Sequence, residues 1–319
     1  MSKTLVRQLV TLCAVGLAFL LFDLAIYTVF TERCIHRYGE DMQAKSIELD
    51  AYLPFTEPSL VVRIDGAEKL NGELPVIDGA AALYPVFSAT VYALYPASSV
   101  VFDGTDFAPE SALQYSNTRG AYRGIVDGTV DIAFCVAPSA EQLAYAEEKG
   151  VALMFTPIGR EAFVFLVNDR NAVDTLTTEQ VRGIYSGAYT NWSQVGGENR
   201  PIAALQRNAG SGSQSALLNF MGDLPIKRDY DTFLGRAIGF SFRFYVEGIV
   251  EEGNVKMLAL DCVYPSTENI KNGTYPIINE LYAVTREGET NPNVQVILDW
   301  LLSEEGQRMI EETGYVGIS

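Results

Sequence analysis

The sequence has few of the residues on which most enzymatic and metal chemistry depends. It contains one histidine, His36, and four cysteines in 319 residues. A single histidine excludes any metal site that needs several imidazoles, and His36 is interpreted as a solvated residue beside the membrane rather than as a member of a Ser-His-Asp triad. The cysteines lie far apart and lack CxxC spacing, so the sequence encodes neither a zinc knuckle nor a dense disulfide framework. We therefore expect no catalytic activity, no metal and no cofactor.

Positive charge is also scarce. The chain has 23 Lys and Arg against 40 Asp and Glu, a net charge of −17. A protein this acidic lacks the general basic surface that nucleic acid requires, so we expect no nucleic-acid partner. With 48% hydrophobic residues, the chain is too apolar to be disordered. Its length suits one two-lobed unit or two domains of ordinary size.

A long apolar run lies near the amino end. Residues 9–30 are almost unbroken apolar sequence, about the 20 residues that a helix needs to cross a bilayer. Lys3 and Arg7 precede the run, so the positive-inside rule keeps the start in the cytoplasm and places the rest outside the membrane. The run is longer than the apolar core of most cleaved signal peptides, and no small-x-small site follows it. Residues 1–33 are therefore predicted to be a cytoplasmic start and an uncleaved, single-pass anchor. Asp23 within it either contacts a partner helix or is tolerated by its apolar surroundings.

The remainder divides into a tether and a folded part. Residues 34–71 are mixed polar with little periodicity, which predicts a tether. From residue 72, short β-rich runs alternate with helical patterns, as is typical of an α/β fold with a mainly parallel sheet. Residues 238–246 alternate aromatic and polar side chains, which predicts a strand with Arg243 on its solvated face.

Residues 206–214, QRNAGSGSQ, form a turn rich in hydrogen-bond donors that precedes a helical pattern. Glycines allow close backbone approach to a ligand, and a helix start directs free N–H groups at the same point. Arg207 can add a forked charged donor. All these groups donate and none is a base or an activated nucleophile, which suits holding an oxyanion rather than breaking one. An ordinary flexible turn is the alternative.

Two more turns of this kind occur, at residues 78–83 and 115–120. Each precedes a predicted helix and could direct N–H groups or hydroxyls at a shared ligand. Three donor-rich turns in one α/β chain agree with the rule that ligands lie beyond the carboxyl ends of the strands.

These motifs resemble those of the extracytoplasmic phosphate-binding proteins of ABC transporters, in the type II periplasmic-binding-protein superfamily, and especially its membrane-attached, phosphate-binding-like group. The resemblance runs from about residue 74 to residue 319. It is carried by Asp78-Gly79 and by residues 130–134, 190–197 (TNWSQVGG), 207–214, 237–240 and 300–314.

The resemblance implies a periplasmic-binding-protein-like (type II) α/β clamshell, two-lobed with two crossing hinge strands, preceded by one N-terminal transmembrane helix. Lobe one would comprise residues 72–158 plus 277–319 and lobe two residues 159–276, with an oxyanion in the cleft between them.

Site residues follow from the resemblance one position at a time. The family's Arg-x-x-x-Ser-Gly-Thr pattern falls on Arg207, Ser211, Gly212 and Ser213, with serine in place of the threonine. The family's serine before the second helix falls on Thr118. At the first helix start only backbone donors remain. The implied anion-binding set is Ala81, Ala82, Thr118, Arg207, Ser211, Gly212 and Ser213.

Three departures accompany this match. Ala81 replaces a threonine, Ala209 replaces an acidic residue, and Val136 replaces the cleft aspartate that accepts the proton of a protonated phosphate. A carboxylate at that place repels an oxyanion without a proton to donate, so selectivity for phosphate over sulfate stays open. The segment from residue 225 to 236 is also short for the family.

The resemblance implies an extracytoplasmic solute-binding protein that captures an inorganic oxyanion, phosphate first, for an ABC permease in the membrane. The alternative is a degenerate anion-binding module that acts as a membrane-anchored sensor or scaffold.

Overall fold

The computed structural model describes residues 48–227, 236–250 and 255–318, together with Arg7 and residues 16–17 and 20–24. The predicted anchor and the first part of the predicted tether lie almost entirely outside these residues. Among the described residues, none belongs to a helix that is both long enough and apolar enough to span a bilayer.

A mixed β-sheet forms the centre of the protein. The described strands are β1 Ile77–Gly79, β2 Ile132–Val136, β3 Leu153–Asn168, β4 Thr175–Leu176, β5 Ile202–Ala204, β6 Arg236–Phe242, β7 Val255–Met257, β8 Ala259–Leu260 and β9 Ile278–Arg286. Seven of them join in the order β1-β2-β9-β3-β6-β5, with β7 also paired to β3, while β4 and β8 pair separately. The prediction of a mainly parallel sheet is wrong, because β3 runs antiparallel to β9, β6 and β7.

Helices cover the sheet. They are α1 Tyr84–Leu94, α2 Asn117–Asp127, α3 Ala140–Lys149, α4 Thr178–Ser186, α5 Gly212–Met221, α6 Arg243–Val250, α7 Thr267–Lys271, α8 Pro292–Leu302 and α9 Glu304–Glu312. Helix α4 has local signals at both ends: Thr177 and Gln180 form a reciprocal capping box, and Gly187 ends the helix with a φ of 80°.

Two long strands run side by side through the middle of the molecule. The first part of β3 pairs with β9, and its second part pairs with β6 and β7. A register shift between Pro157 and Gly159 interrupts the β3–β9 ladder. The predicted crossing from lobe one to lobe two near Gly159 lies at this register shift. The predicted return crossing at Ile277 lies directly before β9. The lobe boundaries derived from them stay a prediction.

Residues 48–71 are part of the folded body, which corrects the prediction of a tether over this stretch. Leu53, Val61, Ile64 and Leu70 are each buried, with at most 9% of their surface exposed. The backbone joins the body as well, since the Leu70 N–H donates to the Leu94 carbonyl over 2.8 Å. The segment has little regular secondary structure, so its buried side chains are spaced irregularly. For that reason the sequence shows no hydrophobic period there.

The predicted strand over residues 238–246 is also corrected. Strand β6 ends at Phe242 and α6 begins at Arg243. The Phe244 N–H, in the first turn of α6, donates over 3.2 Å to the carboxylate of Glu161 on β3. A side chain about 80 residues earlier thus satisfies the helix start, so no capping residue marks it locally.

Arg243 is buried, not solvated as its predicted strand face required. Its side chain is 6% exposed. The guanidinium donates to Glu247 over 2.5 Å, to Glu161 over 3.4 Å and to the Gly314 carbonyl over 2.8 Å. Arg243 therefore ties α6 to β3 and to the segment after α9.

Candidate anion site

One cavity of about 320 Å³ lies where the carboxyl ends of several strands meet. The segments after β1, β5 and β6 and the last residue of β2, Val136, contribute to its wall, as the rule for ligand sites in α/β folds predicts. All seven residues of the predicted anion-binding set line it: Ala81, Ala82, Thr118, Arg207, Ser211, Gly212 and Ser213.

The loop before α5 is held in one conformation by its own side chains. Ser211 is the N-cap of α5 and accepts a hydrogen bond from the Gln214 N–H over 3.2 Å. The Gln214 side chain in turn accepts from the Arg207 N–H over 2.8 Å. Gly210 has a φ of +79°, a backbone conformation that favours glycine. The Ser211 hydroxyl keeps its own proton to donate, so the capping role and a ligand role are compatible.

Arg207 is the cation of this wall. It is 7% exposed and lines the cavity, yet within the described residues it forms no ion pair. Burial lowers the pKa of its guanidinium, and the nearby Tyr245 opposes that shift. A buried charge without a partner is costly, so an anion in this cavity would stabilise the guanidinium.

Asp78 joins the other two donor-rich turns. It is buried, and its Oδ1 accepts from the Gly79 N–H over 2.6 Å and from the Ser116 N–H over 2.8 Å. Its Oδ2 accepts from the Ser116 hydroxyl. Burial raises the pKa of Asp78, while these hydrogen bonds lower it. The sequence indicated a glycine turn here but gave no sign that the aspartate brings the turns before α1 and α2 together.

The loop before α5 meets the opposite side of the cavity, formed by the start of α2 and the end of β2, at Gly212. A Cβ atom on this glycine would lie 3.3 Å from Thr118 Oγ1 and 3.3 Å from Val136 Cγ2. Thr118 and Val136 are themselves buried. Only a residue without a side chain lets the start of α5 approach the start of α2 and the end of β2 this closely.

We expect Gly212→Val to weaken anion binding by about tenfold or more, because overpacking of 1–3 kcal/mol would separate the two walls. Isothermal titration calorimetry with phosphate measures this loss, and small-angle scattering measures whether the variant stays more open at saturating phosphate. Gly212→Ala, which adds one methyl group, is the graded control and should lose less. If Gly212→Val binds phosphate with the same Kd as the wild type, close packing of Gly212 against Thr118 and Val136 is not needed for binding.

Glu161, Ser241 and Tyr245 also line the cavity and were missed from the sequence. Tyr245 was placed in the predicted strand over residues 238–246, and Glu161 was not singled out. The available signal was chemical: Glu161 is an acidic residue at the start of an otherwise apolar run, residues 161–167. Val136 and Ala209 line the cavity at the positions where the resemblance implies carboxylates.

Acidic and sulfur ligands do not gather into a metal site in the part of the chain that the structure describes. No group of three or more His, Cys, Asp or Glu side chains there could hold an ion. The cavity is instead lined by hydrogen-bond donors and apolar side chains, with Glu161 as its acidic residue.

Comparison with known proteins gives matches over most of the chain. A family model described as a PBP superfamily domain matches residues 76–305. The protein SphX of Synechococcus elongatus is 27% identical over 285 residues, which cover 76% of this chain and 83% of SphX. The phosphate-binding protein PstS of Borreliella burgdorferi is 25% identical over 223 residues, or 63% of this chain and 78% of PstS.

Solved structures agree on the fold. An ABC-type phosphate transport receptor from Vibrio cholerae superimposes with a TM-score of 0.55 at 20% identity, covering 76% of this chain and 99% of the receptor. At this identity the likeness concerns the fold, which is mixed α/β with two lobes.

Proposed function

Because this chain belongs to the PBP superfamily, we propose that it is an extracytoplasmic solute-binding protein that captures inorganic phosphate for an ABC permease. The PstS relative is named as a phosphate-binding protein, and the structural neighbour is a phosphate transport receptor. Both are binding proteins rather than enzymes, which agrees with a site that holds its ligand without covalent chemistry. They give no support to the alternative of a degenerate sensor or scaffold.

The observation that carries this proposal is the buried guanidinium of Arg207, which has no ion-pair partner among the residues that the structure describes, in a cavity lined with donors. A phosphate ion would supply the missing negative charge and accept two parallel N–H bonds from the fork. Binding at this position would therefore replace an uncompensated buried charge with a charge-assisted pair.

The remaining site residues have complementary roles in the proposal. Ser211, Ser213 and Thr118 would donate hydroxyl hydrogens, and Gly212 would allow the walls to close while its N–H faces the ligand. Ala81 and Ala82 begin a short 3-10 helix, Ala81–Leu83, whose first N–H groups have no partner within the helix. These alanines would contribute backbone donors only.

Closure would use the two crossing strands. In this proposal the lobes would meet across the cavity, and β3 and β9 would pass from one to the other beside the register shift in their pairing. Bending at these strands would open and close the cleft around the ligand, as in hinged binding proteins. The closed form would be the one that the permease recognises.

Isothermal titration calorimetry of the full-length protein tests the proposal. Phosphate should bind at pH 6 and pH 8 with a Kd of about 1 μM or tighter, about −8 kcal/mol. Sulfate, titrated under the same conditions, measures selectivity at a site that has Val136 where the family has a carboxylate. A folded protein that gives no heat with either anion would overturn the proposal.

We also propose that residues 1–33 anchor the protein in the membrane, with the folded part outside. The support is the apolar run at residues 9–30 and the positive charges before it. Membrane fractionation of the expressing cells should recover the full chain in the membrane pellet after alkaline extraction. Protease added to the outer side of the intact membrane should then release the folded part. A chain found wholly in the supernatant would contradict the anchor.

A further inference from the structure

The cavity of the anion site has more room than an inorganic phosphate ion fills. Its volume is about 320 Å³. A water molecule takes about 30 Å³ in the liquid, so a phosphate ion with its four oxygens needs on the order of 100 Å³. A cavity of this size suits a small organic ligand.

The space persists although the sides of the cavity are in contact at two places. At the start of α5, a Cβ atom on Gly212 would lie only 3.3 Å from Thr118 Oγ1. At the other place, the Tyr315 hydroxyl donates to the Ala82 carbonyl, and the Tyr315 ring lies 4.7 Å from the Phe244 ring between centroids. The extra volume is therefore not simply the gap of a wide-open cleft.

Part of the cavity lining is an apolar floor, which we define as the side chains of Val136, Phe242 and Leu281. Val136 ends β2, and it pairs with Leu281 in the β2–β9 ladder, so the two side chains lie on the same face of the sheet. Phe242 ends β6. All three line the cavity and are at most 4% exposed.

The apolar floor lies directly beside the hydrogen-bond donors. A Cβ atom on Gly212, the first residue of α5, would lie 3.3 Å from Val136 Cγ2 and 3.9 Å from Phe242 Cε2. Ser211 precedes this glycine and Arg207 lines the same cavity. A tetrahedral anion held by the donors at the start of α5 therefore has hydrocarbon next to it.

The acidic residue of the wall is satisfied by the protein itself. Glu161 accepts hydrogen bonds on Oε1 from the Ala162 N–H and Arg243 Nε, and on Oε2 from the Phe244 N–H. Its role is therefore explained by the fold, and it is not needed as a contact for the ligand.

Inorganic phosphate matches such a lining poorly, because each of its four substituents is an oxygen. An oxygen placed against the apolar floor loses its water and gains no hydrogen bond, which is costly. A carbon-bearing substituent at the same place would instead bury apolar surface and stabilise the complex.

We propose that this site takes phosphorus oxyanions that carry one short apolar substituent, such as an alkylphosphonate or a short alkyl phosphate monoester. The oxygens would accept from the Arg207 fork and from the donors at the start of α5, and the substituent would lie on the apolar floor. The inference rests on the proposed function, since it names the substrate class of that same site.

A series of ligands on the full-length protein tests the proposal. Titration calorimetry at pH 8 compares inorganic phosphate with methyl-, ethyl- and propylphosphonate. Burial of each added methylene should tighten binding by about fourfold, and propylphosphonate should bind at least about tenfold more tightly than inorganic phosphate. The three phosphonates carry the same head group, so a rise within the series measures contact with the apolar floor.

Ethyl phosphate distinguishes the two sources of such a ligand. It has the length of propylphosphonate, but an ester oxygen replaces the first methylene. Equal affinity for the two assigns the site to both phosphonates and monoesters, whereas at least tenfold weaker binding of ethyl phosphate assigns it to phosphonates.

Val136→Thr tests the apolar floor itself. Threonine keeps the shape of valine and replaces one methyl group by a hydroxyl, so the ratio of propylphosphonate to phosphate affinity should fall by about fivefold or more. Val130→Thr is the matched control, because Val130 is also 4% exposed and does not line the cavity. That control should leave the ratio unchanged. If Val136→Thr does not fold, the phosphonate series on the wild type decides alone.

The outcomes separate this inference from the function beneath it. If phosphate binds but affinity stays flat or falls from methyl- to propylphosphonate, the substrate class is wrong and the proposed function stands. The same holds if Val136→Thr folds and changes the ratio no more than Val130→Thr does. If the phosphonates bind and phosphate does not, the capture of inorganic phosphate is wrong and the substrate class stands. If none of these anions binds, both are overturned.

Discussion

Replacing Arg207 by alanine is expected to reduce phosphate affinity by about 100-fold or more. Truncating one member of a buried charged hydrogen-bonded pair typically costs 2–5 kcal/mol, and each 1.4 kcal/mol is a factor of ten in Kd. Arg207 is buried and without an ion pair among the described residues. Truncating Arg207 to alanine therefore removes the charged partner of the ligand without breaking an ion pair between the described residues. Titration calorimetry on the full chain measures the loss.

The folded state of this variant provides the first control. Since a buried charge without a partner is removed, the melting temperature without phosphate should stay the same or rise, while the increase that phosphate gives the wild type should vanish. Arg308→Ala is the matched substitution, because Arg308 is exposed on α9 and does not line the cavity. It should bind phosphate as the wild type does. An Arg207→Ala variant with unchanged Kd would disprove the assignment of the site.

Deleting residues 1–71 is expected to destabilise the folded part far more than deleting residues 1–47. The segment between them buries Leu53, Val61, Ile64 and Leu70. Each large aliphatic side chain contributes about 1.5–3 kcal/mol when buried. Together they contribute on the order of 6–12 kcal/mol, comparable with the whole stability of a typical domain. Urea unfolding of fragments 48–319 and 72–319, followed by circular dichroism, compares the two free energies of unfolding.

A pair of point variants in fragment 48–319 separates burial from mere chain length. Ile64→Ser removes a buried side chain and should lower the unfolding midpoint clearly. Leu60→Ser changes a side chain that is 68% exposed and should leave the midpoint nearly unchanged. If fragment 72–319 unfolds at the same midpoint as the longer fragment, residues 48–71 are a tether after all.

The parts of the site that sequence reasoning found share one property: local chemistry marks them. Glycines and hydroxyls beside Arg207 predict a donor-rich loop whatever the rest of the chain does, and the seven residues that the family resemblance implies all line one cavity. The capping box at Thr177 is equally local. Such motifs satisfy their hydrogen bonds within a few residues, so the sequence window contains the whole interaction.

The errors occurred where the partner lies far away in the sequence. The start of α6 is satisfied by Glu161, and Arg243 pairs with that same residue across 82 positions. Period-two alternation in residues 238–246 therefore predicted a longer strand, since no capping residue announced the helix. Asp78 likewise joins two turns across 38 positions.

The sequence by itself determined the α/β class, the donor-rich loops and the lack of a second histidine for a metal site of several imidazoles, because composition and short motifs suffice for these. Only the tertiary structure decided that Arg207 is buried without an ion pair in the described chain, that Gly212 closes the cavity against Thr118, and that Glu161 faces the same space. Burial and pairing depend on which distant segments pack together. They change the free energy of a charge by several kcal/mol, and no local pattern records them.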